Sequence, residues 1–157
     1  MNTQDVTSRF ASTEMLQRRG MLMLALLVLQ FIAGMTLNLF IQIPTVHPGT
    51  SGSYLSRSVA GFVWALTNGG GVGLTIHVVL ASVLMLGGLA TLGFAIAARH
   101  RVWIIAGSFG LLGSLLALLN GIEFINTGLD KHSFAMAMAF LIALVSYSLG
   151  LYLAKTK

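Results

Sequence analysis

The sequence predicts an all-α integral membrane protein: an up-down four-helix bundle with a short amphipathic interfacial helix in its first outer loop. Three observations predict it. The 157-residue chain is 56% hydrophobic and only 8% charged, where a soluble domain carries about a quarter charged residues. Its mean hydropathy is +0.88, so lipid must be its solvent. The apolar residues also fall into four runs, each meeting the roughly 20 residues needed to cross a hydrocarbon core. Residues 1–157 therefore read as one membrane domain.

The polar lead Met1 to Gln17 precedes Arg18-Arg19 and a first span from Gly20 to Ile43. The run is too long for a signal peptide and no small-x-small site follows it convincingly, so it reads as an uncleaved helix ending near Pro44. The outer loop, 44–71, begins with turn chemistry through Ser53. Leu55, Val59, Phe62 and Leu66 then recur at helical spacing, with Ser56, Arg57 and Ser58 between them. That pattern is an amphipathic helix on the membrane surface, with Trp64 as its interfacial anchor. The glycine run Gly69 to Gly73 has no Lys-Ser/Thr partner, so it is a flexible joint rather than a phosphate loop. The second span runs from Val72 to Ala98 and exits through Arg99-His100-Arg101. The third runs from Val102 to Phe124, with Trp103 at its entry. A short turn follows, and the fourth span covers Ser133 to Ala154.

Arg9, Arg18, Arg19, Arg99, Arg101, Lys155 and Lys157 fall on one side of this layout, and only Arg57 and Lys131 on the other. The positive-inside rule then expects both termini in the cytoplasm and a multi-pass protein of the cell inner (plasma) membrane. The net charge of +5 is a topology signal at the membrane edges, so no nucleic-acid partner is expected. The short later connections imply antiparallel neighbours.

Each span carries a small or polar stripe. The first has Gln30, Gly34, Asn38 and Gln42. The second has His77, Ala81, Leu84, Gly88, Thr91 and Ala95. The third has Ala106, Gly110, Gly113, Ala117, Asn120 and Glu123. The fourth has His132, Met136, Ala139, Ala143 and Ser146. Small residues mark helix contact in membranes, where packing drives association. Asn38, His77, Asn120, Glu123 and His132 are all expected in the outer third of the bundle, as one polar cluster open to the loop and His47. Intramembrane ionisable groups are costly and are functional candidates by default.

Each candidate has a plainer reading as well. His77 can be structural glue, hydrogen-bonded to Asn38 or Asn120. Glu123 can be solvated, cap a helix or pair with Lys131. His132 lies in Asp130-Lys131-His132-Ser133, a helix start. His47 can be an ordinary loop histidine. The small stripes can be packing surfaces alone.

A weak internal repeat joins these residues: Asn38 and Asn120 sit on alternate spans, and His77 and His132 on the other two. In a four-helix ring the second and fourth helices are diagonal, so the two histidines could clamp a flat cofactor, and haem iron accepts imidazole axially. On His77 and His132 the pattern resembles membrane b-type cytochromes and haem A synthase-like bundles. That resemblance implies haem b, with His77 and His132 as iron ligands and His47 or Met136 as substitutes. The Ile76-His77-Val78 context, Asn120-Gly121 and the four-span layout also resemble small uncharacterised four-span bacterial membrane proteins, which implies a bacterial inner membrane and no particular activity.

Three functions follow as expectations. The first is a redox-type module holding haem b or quinone near the outer face, with His77 as ligand or hydrogen-bond partner and Asn38, Asn120 and Glu123 around it. The second is a cofactor-free accessory or scaffold subunit of a larger membrane complex, or a homo-oligomer. The third, ranked below these, is a small-solute transporter, which usually needs larger repeats and broken helices. The absence of cysteine excludes disulfides, thiolate metal sites, iron–sulfur clusters and c-type haem attachment. No nucleophile–base pair suggests an independent enzyme.

Overall fold

The computed structural model describes residues 3–67 and 69–154, with side chains described from residue 12 onward. The side chains of Arg9, Lys155 and Lys157, counted above as topology signals, lie outside the described set. Among the described residues the backbone forms five helices and no strand: α1 (Thr3–Phe40), α2 (Tyr54–Leu66), α3 (Val72–Ala97), α4 (Arg101–Thr127) and α5 (Asp130–Leu153). α1 from Ser12, α3, α4 and α5 are each long and apolar enough to cross a membrane. The fold is a four-helix bundle of multi-pass membrane type. α1 packs against α3 and α5, and so does α4. The ring order is therefore α1, α3, α4, α5, with α3 diagonal to α5.

Helix ends depart from the predicted spans for local reasons. α1 does not begin at Gly20; residues 3–19 contain no glycine or proline, so the polar lead continues the same helix. It stops at Phe40 rather than Ile43, because Pro44 disfavours helical backbone at the residue before it. α4 runs past Phe124 to Thr127, where Gly128 ends it at φ 66° in the left-handed region. α5 begins at once with Asp130 in its first turn.

The predicted small stripes of α4 and α5 meet as a contact surface, while much of those on α1 and α3 lines a cavity. A Cβ on Gly113 would lie 2.7 Å from the Ala139 carbonyl oxygen and 2.8 Å from the Ala143 nitrogen, so α4 and α5 touch backbone to backbone there. Gly110 makes room for the ring of Tyr147. Trp103, expected at the membrane entry, is instead fully buried, wedged between Gly20 of α1 and Gly150 of α5. With Leu16, Met23, Leu27, Leu84 and Tyr147 it forms the main core, in the half of the bundle that carries both termini. A smaller core of Ala65, Leu74 and Val78 sits under α2. Leu39, Leu86, Ile105 and Leu149 stay exposed around the outside, as a lipid-facing belt requires.

We expect Gly113→Ala to lower thermal stability in detergent by the equivalent of about 1–3 kcal/mol, because neighbouring backbone must move. Gly93, where a Cβ meets nothing within 4 Å, should accept alanine with no loss, since alanine favours helix over glycine. Equal melting temperatures for the two variants would contradict the close α4–α5 crossing.

Candidate functional site: a roofed cavity in the loop-side half

Where the two cores leave a gap, a cavity of about 470 Å³ opens in the loop-side half. Leu27, Leu84 and Ala143 line it at its deep end, and Pro44, Thr45, His47 and Phe62 line it at the loop end. Its walls are mainly apolar, from Phe31 and Met35 on α1 to Met136 and Phe140 on α5.

His77 supplies most of the chemistry. Gly73, at the start of α3, abuts Leu37 of α1 and Ile41 just past its end. One turn deeper, His77 comes level with Gly34, where a Cβ would stand 3.0 Å from the imidazole Cε1. The ring then meets Gln30, with Nε2 to amide Nε2 at 3.1 Å. Two amide orientations are open to this contact. Either the amide N–H donates to the ring nitrogen, or, turned over, its oxygen accepts from the ring N–H. Both leave one imidazole nitrogen and one end of the amide unmatched. As placed, these are His77 Nδ1 and Gln30 Oε1, both buried without a partner.

The expected single polar cluster is not formed. The structure divides it into three. Asn38 lines the His77 cavity one turn above Gly34 but is not the partner of His77. Asn120 donates to the Leu116 carbonyl at 2.9 Å and lies 3.4 Å from His132 Nδ1 through its own oxygen. This pair sits between α4 and α5, apart from the lining of the cavity, so His77 and His132 do not face one another across it. Glu123 is neither solvated nor paired with Lys131. It is buried and bound by Arg57 at 2.5 Å, because α2 folds back over the end of α4.

That third group latches the roof. The main chain of Arg57 accepts from Asn126 Nδ2 at 3.4 Å. Asn126 Oδ1 fits between Gly49 and Gly61, where a Cβ would approach it to 2.6 and 2.2 Å. Gly49 also has φ 112°, so glycine is needed there on both counts. His47, expected as a loop residue, is buried. It stacks on Trp64 with centroids 4.1 Å apart, which turns that tryptophan from a membrane anchor into part of the lid. Its ring nitrogens face Pro48 O at 2.8 Å and Ile125 O at 3.1 Å. Thr75 Oγ donates to Ala65 O at 2.9 Å and ties α2 to α3. The outward stripe of α2 is as expected for Leu55 and Val59, both exposed, while Phe62 turns inward to the cavity.

Gln30 and Asn126 are the residues that reasoning from sequence passed over. Gln30 stood in the polar stripe of the first span, and Asn126 lies three residues after Glu123. Comparison with family models, characterised proteins and solved structures finds no match, so the site stands on its own geometry. Among the described residues no cluster of three or more histidine or acidic side chains could hold a metal ion. The arrangement is a mainly apolar chamber in which His77 and Gln30, together with Asn38, Ser114 and Asn126, can donate and accept.

Removing one partner of a buried ion pair leaves the other uncompensated. We expect Arg57→Ala to destabilise the detergent-solubilised protein by about 3–5 kcal/mol, and the added Glu123→Gln change to recover part of that loss. Denaturation of the single and double variants measures it; an Arg57→Ala protein as stable as the parent would show that this pair does not hold the lid.

Proposed function

We propose that the protein is a quinone-binding module of a bacterial plasma membrane, with both termini cytoplasmic. The head group occupies the cavity against His77 and Gln30, and the isoprenoid tail leaves toward lipid between α1 and α5. The observation that carries this reading is a mainly apolar chamber whose lining includes His77 and Gln30, each with a buried polar atom that has no partner. Each such group costs about 1–3 kcal/mol while unpaired, and hydrocarbon offers no water to satisfy it. A quinone carbonyl accepts from an imidazole N–H, and a quinol hydroxyl donates to an amide oxygen. A chamber of about 470 Å³ lies in the range of small-ligand sites. Phe31 and Phe140, with ring centroids 5.8 Å apart, line the α1–α5 seam by which a tail would pass.

Haem b fits these residues less well. A bis-imidazole site needs two free ring nitrogens on opposite sides of one slot. His132 is turned to Asn120, and both nitrogens of His47 face carbonyl oxygens. Met136 is the remaining cavity-lining candidate opposite His77. Quinone recognition asks only for a donor, an acceptor and an apolar slot.

The test is an organic extract of protein purified in mild detergent, beside its oxidised and dithionite-reduced absorption spectra. We expect quinone near one per chain, reduced at least tenfold in His77→Ala and Gln30→Ala variants that keep the parent melting temperature. An extract without quinone would overturn the proposal. In that case a Soret band lost with His77 would restore haem, and a featureless spectrum would favour a cofactor-free accessory subunit.

A further inference from the structure

The end of the bundle that carries both termini holds a second concentration of unmatched polar groups, independent of the cavity. α3 closes there with paired turn bonds, Arg99 N to Ile96 O at 2.9 Å and His100 N to Ala95 O at 3.0 Å. This is the Schellman arrangement, whose left-handed position is usually glycine. Here it is Arg99, at φ 52°, the one non-glycine residue with positive φ among those described. The turn accepts that strain and presents Arg99, His100 and Arg101 in succession between α3 and α4. α4 starts at Arg101 with no side chain capping it, so the positive end of its dipole lies at the same place.

α1 brings a further cation to this turn. The Arg19 guanidinium carbon lies 3.8 Å over the ring of Phe94, one turn before the end of α3. The neighbouring Gly20 abuts Trp103 in the first turn of α4. Arg19 has no ion pair among the described residues. Its Nε, His100 Nδ1 and Trp103 Nε1 are buried without hydrogen-bond partners. Glu14 does not balance this charge, because it is bound by Arg18 at 2.7 Å.

We propose that Arg19, Arg99, His100 and Arg101 form a site for a phosphate-bearing anionic group, supplied by the headgroup of an anionic phospholipid in the leaflet at this end. Phosphate oxygens accept from guanidinium groups in charge-assisted hydrogen bonds. The α3–α4 turn closes two membrane-spanning helices, so it stands at the depth of lipid headgroups, where basic pockets between helices recruit them.

The test uses the full chain in neutral detergent, with native mass spectrometry and thermal denaturation. The probes are phosphatidylglycerol, phosphatidylcholine and inorganic phosphate. Phosphatidylglycerol is expected to be retained and to raise the melting temperature, while the other two do neither. Arg19→Gln should weaken its binding about fivefold. Arg99→Gly should weaken it similarly while leaving the lipid-free melting temperature unchanged or higher, since glycine relieves the turn. Equal retention of phosphatidylcholine would overturn the proposal, as would undiminished phosphatidylglycerol binding by Arg99→Gly. The same melting shift from inorganic phosphate would overturn the lipid assignment.

Discussion

In hydrocarbon a polar group finds its partner within the protein or a ligand, or goes without. Most of this molecule follows from that constraint. The hydroxyls of Ser82, Thr91, Ser114 and Ser146 each return to the carbonyl four residues back, which removes them from the account. Glu123 cannot be neutralised that way, and it draws Arg57 back over the bundle. With that pair come α2, the roof and the stacked His47–Trp64 rings. The lid is thus a consequence of one buried carboxylate at the end of α4. His77 and Gln30 only partly satisfy each other, and both residues line the cavity.

The four spans were legible because composition and run length alone determine them. So were the packing stripes: Gly110 and Gly113 on α4 meet Tyr147, Ala139 and Ala143 on α5 at the contacts that small residues permit. The partners of the polar residues were not legible. Arg57 and Glu123 are 66 positions apart, and they meet only because an amphipathic helix doubles back, which periodicity cannot show. Asn38 looked level with His77 because both lie near the outer ends of their spans. The vertical offset of α1 against α3, set by Gly73 on Leu37 and Ile41, places Gln30 there instead. Asn120 and His132 meet as neighbours across the short α4–α5 turn, so the apparent repeat linking His132 to His77 does not bring those two together.

The two ends of the bundle differ in how they meet the same constraint. The loop side closes its charge within the chain, through Arg57 and Glu123, and leaves an apolar chamber below. The termini side packs tightly around Trp103 and Tyr147 and leaves positive charge at its rim. The proposed apolar ligand on one side and the proposed anionic headgroup on the other would be complementary ways of completing one small membrane protein.

The central claim is that the unmatched nitrogen of His77 meets a ligand head group. Nitrogen-15 NMR of the histidine side chains, with His77 assigned by its substitution, tests it most directly. Adding a short-chain quinone should shift the His77 ring resonances and leave those of His132 and His100 unmoved. Ring resonances of His77 that stay fixed at saturating quinone would contradict the account.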